Sequence, residues 1–161
     1  MSTIVVYGST TGTTEDIANR IASAIGASAI PVSEMTADVI SKNDNLLLGT
    51  STWGCGELQD DWYDGVNVLK GADLKGKKVA LFGCGDSSSY SDTFCDAMSI
   101  IYNEIAGSGA NLVGKVSTDG YTFDSSASVK DGEFVGLAID EVNESDKTDE
   151  RIKNWLGGLG I

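Results

Sequence analysis

The chain has no histidine and a single proline, and its 161 residues hold 11 lysines and arginines against 24 aspartates and glutamates. Each shortage excludes a class of function. Without histidine there is no side chain that titrates unperturbed near neutrality and no imidazole ligand, so His-based triads and His-type zinc sites are ruled out. The formal net charge of −13 disfavours nucleic acid and anionic membrane faces, and favours a basic protein partner. Cys55, Cys84 and Cys95 form no C-x-x-C pair, and an odd count does not suggest a disulfide framework, which fits a reducing, cytoplasmic setting. No apolar run approaches the roughly 18 residues of a membrane span. Met1-Ser2 leads straight into an apolar strand without a charged leader, so neither a secreted nor a membrane-spanning protein is expected. The length suits one domain, 1–161, able to bury its own core.

What is present is an alternation of strand and helix signals, which points to a doubly wound α/β fold with a parallel sheet and helices on both faces. Ile4 to Tyr7 is continuously apolar, as a strand buried on both sides should be. Ile17, Ile21, Ala24 and Ile25 repeat at helical spacing up to Gly26. Strands are expected at Ser28–Val32 (near an edge, because of Pro31), Leu46–Thr50, Lys77–Gly83 and Asn111–Ser117. Helices are expected near Thr36–Ser41, over Leu58–Leu69, along Phe94 to Ile105, and through Ile152, Trp155 and Leu159, the last capped by Ser145 or Thr148. Between strand five and that helix, Thr118–Glu144 is too long for a simple connection. Within it Glu133–Ile139 reads as a further strand, and strand five resumed after an excursion is one arrangement that accounts for it. Thr118–Gly132 then reads as a mostly polar inserted loop.

In such a sheet, ligands bind beyond the carboxyl ends of the strands where strand order reverses. Three segments should meet there. Ser9-Thr10-Thr11-Gly12-Thr13-Thr14 follows the first strand and precedes a helix, offering hydroxyls and free backbone N–H groups at a helix N-terminus that favours an anion. The first basic residue is Arg20, so this turn suits one phosphate monoester held by hydrogen bonds rather than a triphosphate, which would call for Lys and a Mg²⁺ ligand. The plain alternative is a Ser/Thr-rich helix cap. Thr50-Ser51-Thr52-Trp53-Gly54-Cys55-Gly56 and Gly83-Cys84-Gly85-Asp86-Ser87-Ser88-Ser89-Tyr90 each bring one large aromatic residue in a turn rich in small residues. Trp53 and Tyr90 together can clamp a flat ring.

With these loops in place the sequence resembles the flavodoxins, electron carriers that bind FMN. The phosphate turn fits that family's S/T-x-T-G-x-T pattern. Thr52-Trp53-Gly54-Cys55-Gly56-Glu57-Leu58-Gln59-Asp60-Asp61-Trp62 fits its first ring loop, and Gly83-x-Gly85-Asp86 with Tyr90, Phe94 and Asp96-Ala97 fits its second. Ser117–Tyr121 through Phe134–Ala138 to Ser145-Asp146 resembles the insert of the long-chain type. Departures stand at Ser51, Ser87, Ser89 and Val142, where relatives often carry Pro, Gln, Gly and Asp.

The resemblance implies a five-stranded parallel sheet of order 2-1-3-4-5, with an insert at about 118–133 interrupting strand five. It implies a non-covalent FMN held by Ser9, Thr10, Thr11, Gly12, Thr13, Thr14, Thr50, Ser51, Thr52, Trp53, Gly54, Cys55, Gly56, Cys84, Gly85, Asp86 and Tyr90, with no metal and no catalytic residue. The flavin would shuttle between oxidised, semiquinone and hydroquinone states at low potential, with the Gly54–Cys55 peptide turning to meet the protonated flavin. A cation-free site lined by carboxylates (Glu57, Asp60, Asp61, Asp86) would disfavour the anionic reduced flavin. These acids, with Asp64 and with Asp140, Glu141, Glu144 and Asp146, are expected to form a negative rim. That rim would steer basic redox proteins such as an NADP-linked flavodoxin reductase or 2-oxoacid oxidoreductases to a monomeric carrier. Cys55 lacks a cationic neighbour in sequence to lower its pKa, which argues against a redox thiol. The rival reading within the fold is an FMN-dependent quinone or nitro reductase. A signalling receiver domain fails, because strand three ends in Thr50-Ser51-Thr52 where it would need an Asp.

Overall fold

Side chains alternate faces along a strand, so strands covered on both sides must be apolar at every position. The three central strands meet that demand. In β1 (Thr3–Gly8) Val5 packs on one face and Val6 on the other, in β3 (Asn45–Trp53) Leu47 opposes Leu46 and Leu48, and in β5 (Lys78–Cys84) Ala80 and Phe82 oppose Val79 and Leu81. The protein, seen in a computed structural model, is described over residues 2–53 and 56–161, with Trp53 described by its backbone alone.

The chain runs β1, α1 (Thr13–Ile25), β2 (Ser28–Pro31), α2 (Ala37–Lys42), β3, β4 (Glu57–Leu58), α3 (Trp62–Gly71), β5, α4 (Ala97–Ile105), β6 (Asn111–Val113), β7 (Val116–Ser117), β8 (Val129–Lys130), β9 (Glu133–Phe134), β10 (Leu137–Ile139) and α5 (Thr148–Gly157). The parallel order is β2-β1-β3-β5, with β2 at the edge and both β6 and β10 paired to β5 at the far side. This is the expected 2-1-3-4-5 arrangement, with the fifth position filled by two short strands. Ile17 and Ile21 of α1 and Ile152 and Trp155 of α5 cover one face of the sheet. Trp62, Val66 and Leu69 of α3 and Met98, Ile101 and Ile105 of α4 cover the other.

The structure corrects several expected boundaries. Asn111–Ser117 is not one strand. The chain leaves β5 at Gly114, where φ is +84° and an added Cβ would stand 2.6 Å from Trp155 Nε1, the group that donates to Gly114 O at 2.9 Å. It returns at Gly136, whose Cα faces the Leu81 carbonyl so closely that a Cβ has no room. Glu133–Ile139 is therefore also two strands, with only Leu137–Ile139 in the main sheet. The helix expected from Leu58 begins at Trp62 instead, because Glu57–Leu58 turns back to pair antiparallel with Thr52 and Trp53. Neither expected hydroxyl caps α5: Ser145 lies in a short 3-10 turn, Thr148 is the first helical residue, and Lys147 is the cap position without a side-chain bond.

The insert is more than a polar loop. It folds as a three-stranded antiparallel sheet, β7-β9-β8, over an aromatic cluster in which Phe94 stacks on Phe123 at 5.5 Å and Tyr121 meets Phe134 edge-on at 4.9 Å. Tyr121 Oη donates to Ala138 O at 2.7 Å. Hydrogen bonds then tie its polar stretch to residues 91–96: Asp124 N–H donates to Ser91 Oγ at 2.8 Å, Ala127 N–H to Asp96 Oδ1 at 2.7 Å, and Ser128 Oγ to Cys95 O at 2.6 Å.

Phe134 is fully buried at the centre of that cluster. We expect Phe134→Ala to cost about 3–5 kcal/mol of stability in urea denaturation. A loss below 1 kcal/mol would mean that the insert is not packed as a part of the core.

Candidate functional site

Strand order reverses between β1 and β3, because the chain moves outward to β2 on one side and to β5 and beyond on the other. The loops leaving these strand ends enclose an open cleft of about 210 Å³. Thr11 and Thr13 from the first loop, Ser51 and Thr52 from the second, and Cys84, Gly85, Asp86 and Tyr90 from the third line it. Thr93 and Val142 complete the lining. Among the described residues no lysine or arginine lines the cleft.

The turn from Ser9 to Thr14 is closed by Gly12 N–H donating to Ser9 Oγ at 3.1 Å. Gly12, at φ +94°, occupies the cap position of α1, and no side chain caps that helix. A plain Ser/Thr cap is thus excluded, and the N–H groups of Thr13, Thr14 and Glu15 precede the first intrahelical bond, Asp16 N–H to Gly12 O at 3.0 Å, and have no intrahelical acceptor. Thr14 is fully buried, and its Oγ1 has no conventional hydrogen-bond partner; it lies against the Cys84 sulfur, whose thiolate form it would stabilise.

Thr50 does not line the cleft. It is fully buried, its Oγ1 donating to Ser51 O at 2.9 Å and accepting from Gln59 N–H at 3.4 Å. Thr52 Oγ1 accepts from Ala97 N–H at 3.1 Å, which fastens the end of β3 to the first turn of α4. Trp53 ends β3, paired with Glu57. The Trp53 side chain and the expectations on Gly54 and Cys55 lie outside the described residues. Gly56, at φ +99°, sits against the Asp96 carboxylate, 2.8 Å from the place of a Cβ.

The third loop is organised by carboxylates. Asp86 Oδ1 accepts from Ser88 N–H at 3.0 Å, Ser89 N–H at 3.1 Å and Asn143 Nδ2 at 2.8 Å. Partial burial raises its pKa, but the bonds from Ser89, Asn143 and Ser88 outweigh that and bring it down to about 2. Asp140, expected on an acidic rim, is instead fully buried, accepting from Ser87 N–H at 3.2 Å and Asn143 N–H at 3.0 Å. Glu141 pairs with Arg20 at 3.1 Å, and Glu144 with Arg151 and Lys147 at 3.0 Å each, so these two acids are also partly spent on internal bonds. Glu57, Asp60, Asp61, Asp64 and Asp146 are exposed as expected.

Cys84 and Cys95 are buried thiols whose surroundings oppose the thiolate. Burial pushes the Cys84 thiol up to about 12, offset only in part by the Thr14 hydroxyl and reinforced by Glu141, Asp16 and Asp140. Burial likewise drives the Cys95 thiol well above its usual range, and both remain free. Among the described residues no group of His, Cys, Asp or Glu is placed to hold a metal ion, and no helix is long and apolar enough to cross a membrane.

Sequence reasoning missed Thr93 and Asn143 as parts of this site, quoted Gln59 only within the first ring-loop motif without a role, and placed Val142 only as a departure from the family. Asn143 acts through neighbours in space, with no periodicity or motif of its own, and the contact that Gln59 makes is likewise invisible in the sequence. Gln59 Nε2 donates to Thr10 Oγ1 at 3.1 Å, joining the first loop to the second across 49 positions.

A doubly wound sheet with an anion-favouring turn, a cleft at the switch point and an aromatic residue at its rim defines a flavodoxin-like binding protein. The chain belongs to the flavodoxin family, whose model matches residues 5–155. It is 42% identical to Flavodoxin 1 of Azotobacter vinelandii over 162 residues, covering 96% of this chain and 93% of that protein. It is 44% identical to a flavodoxin of Nostoc sp. over 156 residues, covering 95% and 92%. A flavodoxin of Fusobacterium nucleatum solved bound to flavin mononucleotide superposes with a TM-score of 0.90 at 30% identity, covering 98% of this chain and 96% of that one.

Asp86 has a folded-state pKa below the unfolded value, so its stabilising contribution is complete above about pH 4 and fades as pH falls toward about 2. Asp86→Asn should flatten the fall in thermal midpoint between pH 4 and pH 2 relative to the unsubstituted protein. Identical acid limbs would show that the clasp around Asp86 contributes nothing to the folded loop.

Proposed function

We propose that the cleft holds one FMN and that the protein carries electrons singly between protein partners. As a flavodoxin the chain is an electron-transfer protein rather than an enzyme. The observation that carries the reading of the site is a donor set without a cation: an uncapped helix start, a buried Thr14 hydroxyl lacking a conventional partner, and a cleft with no lysine or arginine among its described lining residues. Such a set fits a phosphate monoester held by N–H and O–H groups alone.

The bound FMN supplies the one-electron chemistry. Ser9, Thr10, Thr11, Gly12, Thr13 and Thr14 hold its phosphate through hydroxyls and N–H groups. Tyr90, 52% exposed at the rim, offers its ring to one face of the flavin, and Trp53 at the end of β3 is assigned the other. Thr52, Ser51, Gly54, Cys55, Gly56, Cys84, Gly85 and Asp86 contribute contacts along the ring edge and the linking chain. Thr50 contributes from beneath, by holding the second loop in place. Asp86, ionised throughout the physiological range, and a phosphate uncompensated by any lining cation both oppose further negative charge on the ring.

The exposed acids Glu57, Asp60, Asp61 and Asp64 flank the second loop and would steer a basic partner such as an NADP-linked flavodoxin reductase or a 2-oxoacid oxidoreductase. The carrier would act as a cytoplasmic monomer, with no part for nucleic acid or membrane. The low-potential, long-chain type fits the insert and the charge around the cleft.

Titration of apoprotein into FMN should quench the flavin fluorescence to a 1:1 end point and give a shifted visible spectrum. A spectrum and emission unchanged from free FMN would overturn the proposal. Redox titration of the complex should place the second electron below its potential in free FMN. Coincidence with the free value would remove the electrostatic part of the reading.

A further inference from the structure

Gln59 lies in the turn between β4 and α3 and is 2% exposed. Both of its amide protons are donated and its oxygen accepts one bond. Nε2 donates to Thr10 Oγ1 at 3.1 Å and to Asp61 Oδ2 at 3.2 Å, while Oε1 accepts from Asp61 N–H at 3.0 Å. Only the amide oxygen can accept that backbone N–H, so the donor edge is the one that faces Thr10. The side chain has no room to turn: Oε1 and the Trp62 indole together fill the space where a Cβ on Gly8 would stand, and Trp62 is itself pinned by its Nε1–H donating to Gly49 O at 2.7 Å.

A hydroxyl has one proton to give and two sites that accept. At Thr10 one accepting site is taken by Gln59, and the proton is donated to no acceptor among the described residues. Gln59 approaches from the protein side, so the proton is left for the open side of the turn, where the N–H groups of Thr13, Thr14 and Glu15 have neither an intrahelical acceptor nor a side-chain cap. We propose that Gln59 is a positioning residue for anion recognition: it fixes the Thr10 hydroxyl as a donor toward the ligand's phosphate. Through Thr10 it sets the preference for a phosphorylated flavin over an unphosphorylated one. This rests on the FMN reading above. A glutamate at this position would present an acceptor to Thr10, draw the proton inward and turn the hydroxyl's lone pairs toward the phosphate.

The test compares dissociation constants for FMN and for riboflavin, which has the same ring without the phosphate. Gln59→Glu and Gln59→Leu should each weaken FMN by about tenfold, as loss of one hydrogen bond to a charged group does, and riboflavin by less than about twofold. Thr10→Val should show the same split. The Thr10→Val/Gln59→Leu double variant should bind FMN no more than about twofold worse than Thr10→Val alone, because the two residues act through one hydroxyl. Parallel losses for both flavins would make Gln59 a structural residue only. Unchanged FMN binding, or an additive double variant, would overturn the proposal equally. Gln59→Met, uncharged and close in shape, carries the same comparison if the charged variant does not fold. Should the unsubstituted protein bind the two flavins equally well, it is the assignment of the phosphate to this turn that fails; if it prefers FMN and the Gln59 variants do too, only the role of Gln59 falls.

Discussion

Parallel strands that begin level also end level, and β1, β3 and β5 do so. Gly8 is paired with Thr50, Thr50 with Gly83, and Ser51 with Cys84. That register brings three loops distant in sequence to one rim of the sheet, and every feature of the site follows from it. A slip of one residue would reverse the faces of Val5 and Val6 and of Leu46, Leu47 and Leu48, exchanging the two halves of the core, so the register is specified by burial on both sides. The same residues that fill the core therefore determine which loops meet. Side chains at the rim are free to vary in chemistry without putting the fold at risk.

The loops themselves need bracing, and each is braced by a neighbour rather than by its own sequence. Gln59 joins the first loop to the second, and Thr52 joins the second to α4. Asn143 ties the third loop to the turn after β10 by donating to Asp86 and to Asp140. The insert completes the set: its backbone and serine hydroxyls hold residues 91–96, the segment that follows Tyr90. The excursion of strand five thus has a consequence at the cleft, because the residues it stabilises continue directly from the loop that carries the exposed aromatic ring. Phe94 links the two, being both part of that segment and a member of the aromatic cluster.

How much of this could be read from the sequence depends on what kind of signal each part leaves. The strands and the amphipathic helices were legible because periodicity records burial directly: Ile17, Ile21, Ile101 and Ile105 are all buried on the faces their spacing implies. The three loops were legible through composition, since a helix start rich in hydroxyls and without a cation is rare enough to carry meaning. The split of strand five was only half legible. An apolar run such as Phe134-Val135-Gly136-Leu137 does not reveal that the chain changes sheets within it, and Gly136 is explained only by the Leu81 carbonyl it must clear. Asp140 shows the opposite failure. Among neighbouring acids it reads as a surface charge, and only the convergence of Ser87 and Asn143 on it accounts for its complete burial.

The shortage of cations described at the outset becomes a structural theme. A buried or crowded carboxylate is commonly paired with lysine or arginine, yet around this cleft Asp86 and Asp140 are satisfied by amide and hydroxyl donors alone. Neutral donors stabilise an anion without cancelling its charge, and the field of the carboxylate persists at the site. The cations that do come near, Arg20 and Arg151, are held back from it. Arg20 is occupied by Asp16, Glu141 and Asp149, and Arg151 by Glu144 and the face of the Tyr121 ring. A turn proposed to take a dianionic phosphate on N–H and O–H groups, beside carboxylates stabilised in the same way, would accumulate negative potential where a more balanced protein would neutralise it. The donors must then be oriented accurately, because no counter-charge compensates for a misdirected hydroxyl. A buried amide beneath Thr10, both of its protons donated, supplies that orientation, which connects the excess of acids over cations in the sequence to the hydrogen-bond geometry of the cleft.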